Sequence, residues 1–455
     1  MSGLFTTLNA ASRALAAQDY GLNVTGQNIA NLNTEGYSRR TVDLQEVAPG
    51  AGGGVNAASA RAQRDALLET RIRQAYPAGQ QQSAIATSLG VVETTLGSPG
   101  QSIDGQLTAF FNTFASLAQD PTSSIARDGV VQQGQLLARA FNLMSTNLAD
   151  ARTAADSQIR SGVEQINALA AQIAALNASI GNAGGADVET LRDQQGVALK
   201  TLSGLADVTV GQQADGTASV SIGTGRALVV GGDAYALGIG SAGIGGLATI
   251  TSGGVDITSE IGRGTVGGEL LVRDQYVPGY QARLDQLAFG VAQQVNTLHA
   301  AGYDANGHTG QAFFTPLGSA AGAAAALAVD PTLAGDSSLV AASSTGTAGD
   351  NQTAKAIANL RDARTMSGGT ASLSDVWSQL VFRVGSDSQT AQAQQQSSQQ
   401  IVDQIAKLRD QVSGVSLDEE SANMLKFQRA YQANARLFSA VDQTLTTLMG
   451  MVGVT

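Results

Sequence analysis

The chain has 455 residues, enough for two to four structural units at roughly 100 to 200 residues each. Its net charge of -11 includes no basic run, which argues against nucleic acid and an anionic membrane surface as partners; without cysteine there is no disulfide, thiolate nucleophile or cysteine-based metal site. Aromatic residues at 4% and charged residues at 14%, in a background of Ala, Gly, Gln, Ser and Thr, suit long helices with small contact surfaces better than a compact enzyme.

Met1 to Asn9 lacks the cationic start and apolar core of a cleaved secretory signal, and no window approaches the ~18 apolar residues of a membrane span. An export route that reads an uncleaved N-terminus leaves no such mark. Leu8, Leu15, Leu22 and Ile29 recur every seven residues, while a second row from Leu4 and Ala11 decays to Gln18 and Thr25. This predicts a heptad helix that packs either on its own domain or on the other end of the chain. It runs into Asn28 to Arg40, where Asn31 and Asn33 can cap or turn the backbone and Gly36 can take a positive φ. Thr41 to Val47 alternates like a short strand, and Gly50 to Gly54 breaks regular structure, so residues 1–48 form the first unit.

From 49 to 204 the pattern reads as a helical bundle. Ala62 to Tyr76 comes first; Ile103, Leu107, Phe110, Phe114 and Leu117 follow up to a stop at Asp120-Pro121, and Leu137, Phe141, Met144 and Leu148 continue the theme. Ile159, Ile166, Ile173 and Ile180 then form a coiled-coil-grade seam ended by Gly181 to Gly185. Residues 205–266 change texture: Asp207 to Gly211, Ala218 to Ile222 and Arg226 to Val230 are short runs between Gly turns, a small antiparallel β insertion. The bundle resumes over 267–305 with Tyr280, Leu284, Leu287, Val291, Val295 and Leu298. Residues 306–350 are rich in Gly, Ala and Ser and read as a loop or small ornament. The last part of the bundle, 351–415, holds helices at Ala354 to Arg364 and Ser372 to Val384, then a Gln/Ser-rich stretch, then Ile401, Ile405, Leu408 and Val412 on one face.

The final unit, 416–455, is one long helix. Leu417, Met424, Tyr431, Phe438, Leu445 and Val452 recur every seven residues, with Phe427, Asn434, Val441 and Leu448 in the companion row. Asn434 in that row is read either as a register device or as a solvent-facing residue where the seam turns away. Ser416 to Glu419 matches a capping box, and Asp418-Glu-Glu420 reads as first-turn acid. The fold class expected is α+β, mainly α: terminal helices paired as a coiled coil, a central long-helix bundle and a small antiparallel β insertion.

Motifs for chemistry are weak. Gly238 to Gly243 and Gly262 to Gly267 match GxGxxG, but neither shows the strand, helix and downstream acid of a dinucleotide site, and turn glycines explain them better. Asp304-Ala-Asn-Gly307 lacks the further carboxylates calcium needs and reads as an Asx turn. His299 is a helix-end or core histidine and His308 lies in a turn. No nucleophile stands beside a base, so no catalytic residue, cofactor or metal is expected.

Asn28-Ile-Ala-Asn31 followed by Thr34-Glu-Gly-Tyr37-Ser-Arg39 resembles the signature of bacterial flagellar rod, hook and hook-associated proteins. Leu191 to Gln195, Gly267 to Asp274, Leu284 to Ala288, Val295 to His299, Gly302 to Gly307, Phe313-Phe314, Gly414 to Glu420 and Phe427 to Ala435 resemble, in order, the hook-associated protein 1 family of that group. The resemblance implies an extracellular structural subunit exported by the flagellar type III apparatus and assembled as a junction ring between hook and filament. It implies as partners further copies of itself, the hook protein, the second junction protein and an export chaperone, with neither nucleic acid nor membrane. Some members insert an outer domain after the Phe-Phe motif, for which only 306–350 is available here, so the β segment is the better candidate to project outward.

Two groups of residues are expected to carry assembly. Leu8, Leu15, Leu22 and Ile29 would pack on the 417–452 stripe, and Asn28, Asn31, Thr34, Gly36, Tyr37 and Arg39 would form a turn and docking motif, Tyr37 giving a buried body and Arg39 a polar contact. Alternatives are a hook or distal-rod protein, which shares the ends but not the Leu284 to Phe314 pattern, and a coiled-coil adhesin or phage structural protein, which has no reason to carry the Asn28 motif.

Overall fold

A computed structural model describes residues 2–48, 53–96, 102–182, 186–240 and 246–452. Parts of the expected breaks at Gly50 to Gly54 and Gly181 to Gly185, the end of the Gly238 to Gly243 match and the side chain of Val452 lie outside the described residues. The architecture is mainly α with small antiparallel sheets, in the α+β class expected. Helix α1 (Ser2–Ala30) leads through a turn into a hairpin of β1 (Arg40–Glu46) and β2 (Val55–Ala62), paired antiparallel with a register shift at Asp43/Leu44. The alternation of Thr41 to Val47 predicts β1, whereas the helix expected from Ala62 begins only at Ala66; Val55 to Ala62 is too Ala-rich to announce a strand, and pairing with β1 holds it.

The bundle is built from α2 (Ala66–Leu96), α3 (Ile103–Gln119), α4 (Ser124–Asn182) and α5 (Ala186–Leu205). Helix α2 runs through Pro77, where an isolated helix would break. It is held antiparallel to α11 (Leu373–Ser413) along its length, Gly79 approaching Ser398 and Glu93 approaching Gly385. Helix α4 is a single element of 59 residues, about 90 Å at 1.5 Å per residue. Its first half carries Val130, Leu137, Phe141 and Leu148 into a central core, and its second half carries Ile159, Val163, Ile166 and Ile173 into a separate one.

The second core is closed by α5 and by two sheets: β3 (Val208–Gln212), β4 (Ala218–Ile222), β5 (Arg226–Val230) and β6 (Asp233–Ala234) in sequential order, then β7 (Leu237–Gly240), β8 (Thr249–Ser252) and β9 (Val255–Asp256). Asn177 of α4 stitches the first sheet on, donating to the Ala218 and Gly231 carbonyls at 2.8 and 2.7 Å and accepting from the Ala218 N–H at 2.9 Å. Helix α6 (Gly264–Leu271) passes through a π turn at Val272–Tyr276 into α7 (Val277–Ala301). At that turn Arg273 is buried against Asp156 of α4 at 2.7 Å and donates to the Ala248 carbonyl at 2.7 Å.

Of the glycines in Gly262 to Gly267, Gly262 faces open space, while Gly264, with the positive φ of a turn, and Gly267 are also held by close packing. A Cβ on Gly264, whose φ is +75°, would lie 2.5 Å from the Leu205 backbone, and one on Gly267 would lie 2.8 Å from Gly262. Asp304 does form an Asx turn, its carboxylate accepting from the N–H groups of Asn306 and His308 at 2.7 and 2.9 Å. Among the described residues no acidic or histidine cluster could hold a metal ion.

Residues 306–350 are irregular, with short helices α8 (Ala323–Ala326) and α9 (Pro331–Gly335), and although much of the segment is exposed, several of its side chains enter the main core. Phe313 and Phe314 are fully buried and join Phe110 and Phe114 of α3 at ring distances of 4.9 to 5.7 Å. Asn296 of α7 accepts both of their backbone N–H groups at 3.0 and 2.8 Å. Helix α10 (Gln352–Asn359) follows, and α11, read from sequence as two helices around a Gln/Ser-rich gap, is continuous over 41 residues. Helix α12 (Leu417–Val452) then returns to pack on α1.

Candidate assembly interface at the joined chain ends

The contact between α1 and α12 is made of small residues facing large ones. On α1 the most buried positions are Ala11, Ala17, Gly21, Val24, Thr25 and Asn28, which share one stripe of the helix. Leu8, Leu15, Leu22 and Ile29 are half-buried and flank that stripe. Gly21 shows why: its missing side chain is the space taken by the ring of Phe427. On α12, Val441 and Leu445 are buried, while Met424, Phe427, Asn434 and Phe438 are half-buried along the same face. Leu417, Tyr431 and Leu448 turn outward, at 51%, 40% and 37% exposed.

Just beyond α1 the chain folds into a polar node. Asn28 is buried, and its amide makes four hydrogen bonds, the full set its side chain can form. Its Nδ2 donates to the Arg40 carbonyl at 2.8 Å and to Glu420 Oε2 at 2.9 Å; its Oδ1 accepts from the Tyr37 hydroxyl at 2.8 Å and the Arg40 N–H at 3.0 Å. One side chain thus ties the end of α1, the turn, the start of β1 and the first turn of α12. Burial, with the nearby carboxylates of Asp193 and Glu420, pushes the Tyr37 phenol above its ordinary value, so it serves as a donor.

The two arginines that follow point opposite ways, as successive side chains do where a strand begins. Arg39 reaches α12, with Nε 2.8 Å from Glu420 Oε1 and a second nitrogen 2.8 Å from Glu419. Its N–H donates to the Ser413 carbonyl at the end of α11 at 2.9 Å. Arg40 reaches α5, bonding Asp193 at 3.2 Å and Thr190 at 2.9 Å, with its guanidinium 5.0 Å over the Tyr37 ring. Arg64, just after β2, meets the other oxygen of Asp193 at 2.7 Å. Gly36 has φ +81° and lies against Val197 of α5, where a Cβ would come within 2.3 Å of the Val197 methyl. Asn31 and Thr34 are linked at the outer edge of the turn, 3.1 Å apart, and Asn31 bonds back to the Gln27 carbonyl of α1 at 3.0 Å.

Every residue named for the turn from sequence lies in this node or its outer edge. Three that matter more than expected are Glu420, Arg40 and Asp193. Glu419 and Glu420 lie in the first turn of α12, and their carboxylates meet Arg39 and Asn28; α11 opens with a complete capping box between Ser372 and Asp375. The available signal was the juxtaposition of Arg39-Arg40 with two acidic stretches, 189–193 and 418–420, whose partner choice depends on tertiary structure.

Three family descriptions match the chain: "Flagella basal body rod protein" over residues 8–37, "Flagellar hook-associated protein FlgK helical domain" over 89–314 and "Flagellar basal body rod FlgEFG protein C-terminal" over 410–451. The two rod matches fall on the paired ends, and the helical-domain match falls on the bundle and β sheets. Flagellar hook-associated protein 1 of Bacillus subtilis is 28% identical, the match covering 100% of this chain and 99% of the relative; that of Escherichia coli is 25% identical over 98% and 99%. The solved flagellar hook junction protein FlgK from Burkholderia pseudomallei has a similar fold, with a TM-score of 0.68 at 19% identity over 76% of this chain and 100% of that one. With full-length relatives and terminal and central matches in the same order, the chain belongs to the flagellar hook-associated protein 1 family.

Proposed function

We propose that this protein builds the junction between hook and filament as a ring of identical subunits joined through their paired terminal helices. Membership of the family makes it a structural component of the bacterial flagellum. The observation that carries the finer reading is the Asn28 node. It fixes the α1–α12 pair to the bundle through Asp193, so a load on the pair reaches the body through buried polar contacts rather than through a free linker. The pair also keeps Phe5, Leu417, Leu425, Tyr431, Leu437 and Met449 exposed after α1 and α12 have met, apolar surface that neighbouring subunits would cover.

On this reading the protein acts by packing, without catalysis or cofactor. Its neighbours are further copies, the hook protein below and the second junction protein above. It reaches them through the flagellar type III apparatus, with a chaperone covering the exposed terminal surface before export. A deletion strain tests the proposal: it should build hooks yet release flagellin unpolymerised, and complementation should restore filaments. Hooks bearing attached filaments in the deletion strain would overturn it, and loss of the hooks themselves would instead favour the hook or distal-rod alternative.

A further inference from the structure

Six carboxylates are buried among the described residues, and five of them are fully provided for. Asp156 has Arg273, Arg160 and the Ala248 N–H; Asp193 has Arg40 and Arg64; Glu420 has Arg39 and Asn28. Asp285 accepts from Gly322 and Ala324, and Asp304 from Asn306 and His308. Glu269 is the exception. It is 5% exposed, and its two oxygens share one partner, the Ser88 hydroxyl of α2, at 3.0 and 3.1 Å. A hydroxyl has a single hydrogen, so at any moment at least one oxygen of the carboxylate has no donor. Burial raises its pKa to about 7, the expected response of a carboxylate without a counter-charge.

Glu269 also forms part of the wall of a cleft between α2, α4 and the start of α6. The polar lining beside it is neutral: Ser83, Thr87 and Ser88 hydroxyls, Thr265, and the amides of Gln80 and Gln158. The remaining wall is the apolar surface of Ala84, Val91, Ala151, Ala154 and Ala155. Among the described residues no Lys, Arg or His lines it. One negative charge among neutral oxygens is too little for a divalent cation, which favours several anionic ligands. It does match an ammonium, a single positive charge with three donors, and alanine walls match the methylene stem behind it.

We propose that this cleft is a binding site for a primary ammonium group on an unbranched alkyl stem, with Glu269 as its counter-ion. The form in which a protein presents that group is a lysine side chain, and a free alkylamine presents it equally; Ser88 and the neighbouring hydroxyls accept the remaining ammonium hydrogens.

The test uses the full chain at pH 8, where Glu269 is ionised, with n-butylammonium chloride as probe and tetramethylammonium chloride, which has no N–H donor, as control. A saturable rise in Tm of about 2 °C with n-butylammonium alone is expected, absent in Glu269→Gln. Ala154→Phe, which narrows the cleft from its exposed side, should abolish the rise even if Glu269→Gln folds poorly. An equal rise in Glu269→Gln, an equal rise with tetramethylammonium, or no rise in the wild type would each overturn the proposal. Carbodiimide coupling of concentrated protein then separates the sources. A Glu269 isopeptide to a lysine of another copy identifies a side chain as occupant, and coupling of Glu269 only to added n-butylamine identifies a free amine. Failure of both couplings would count against the site as strongly as a flat Tm. None of these readouts depends on the junction ring, so the site and the assembly proposal can fail separately.

Discussion

The ring of Phe427 lies directly over the backbone of Gly21, so close that a methyl group placed on Gly21 would come within 2.6 Å of two ring carbons. The α1–α12 contact therefore has a fixed register at one point, set by an absent side chain. Gly21→Ala should force the ring aside and cost about 1 to 3 kcal/mol in the terminal pair. Phe427→Leu in the same chain should recover most of that loss. Differential protease resistance of residues 2–30 and 417–452, read beside far-UV circular dichroism, checks it; equal resistance of wild type and Gly21→Ala would refute the register argument.

Asn28 cannot be replaced by a similar shape without inverting a donor. Asn28→Ala strands the Arg40 N–H and the Tyr37 hydroxyl, at about 1 to 3 kcal/mol for each buried group left unpaired. Asn28→Asp should be worse, placing a second carboxylate against Glu420. Adding Glu420→Gln should rescue Asn28→Asp in part, because the amide this introduces on α12 can donate where Asn28 did, although Arg39 loses one charge partner. Chemical denaturation and swimming in soft agar would report the order wild type, double variant, single variant. Tyr37→Phe should fall between wild type and Asn28→Ala, since it removes one hydroxyl donor and keeps the ring beneath Arg40.

Phe313 and Phe314 come from a segment without periodic pattern, yet they sit at the centre of the main core. Phe313→Ala should cost about 3 to 5 kcal/mol, as for other large core truncations. A loss of less than about 1 kcal/mol in urea unfolding, the size of an ordinary surface change, would show that the segment is dispensable to the core.

His299 donates Nδ1–H to the Gln311 carbonyl at 2.7 Å and accepts the Ala341 N–H on Nε2 at 2.9 Å, which fixes the neutral form. Burial lowers its pKa to about 4. The unfolded chain then binds a proton that the folded chain refuses between about pH 6.5 and 4, so stability should fall on acidification through that window, by up to roughly 3 kcal/mol. Glu269 acts in the opposite sense, since its raised pKa makes stability fall as pH rises from its unfolded value through about 7. With two histidines in the chain, imidazole NMR separates the contributions; a His299 resonance titrating near the ordinary value of about 6.5 would contradict the buried neutral form.

Legibility in the sequence followed periodicity. The seam of α4 was readable because a single repeat dictates which side chains are buried; in α12 the repeat marks the helix although Leu417, Tyr431 and Leu448 face outward, and β1 forms where expected without burying alternate residues. The α1 contact was read one row off, because leucines mark a seam more visibly than Ala17, Gly21 and Thr25, although small residues permit the closer approach. The turn residues Asn28, Tyr37 and Arg39 were found through a motif. Their partner Glu420 was not, since a carboxylate 381 residues from Arg39 and 392 from Asn28 leaves no local trace of which group it meets. Asp193, 153 residues from Arg40, was hidden in the same way. The share of the 306–350 segment that enters the core left no local trace for a related reason: Phe313 and Phe314 are held by Asn296 and α3, outside the segment.

The unbroken length of α4 has a mechanical consequence. One helix lies in both cores, and α5, which receives Arg40 through Asp193, leans on its second half. In the proposed junction, twist applied at the chain ends would have a continuous load path: from the node to α5, across to α4, and along a single shaft into the central core. Such a shaft has no joint at which the cores could slip past one another, so torque would be carried as elastic bending of one helix rather than lost in a hinge.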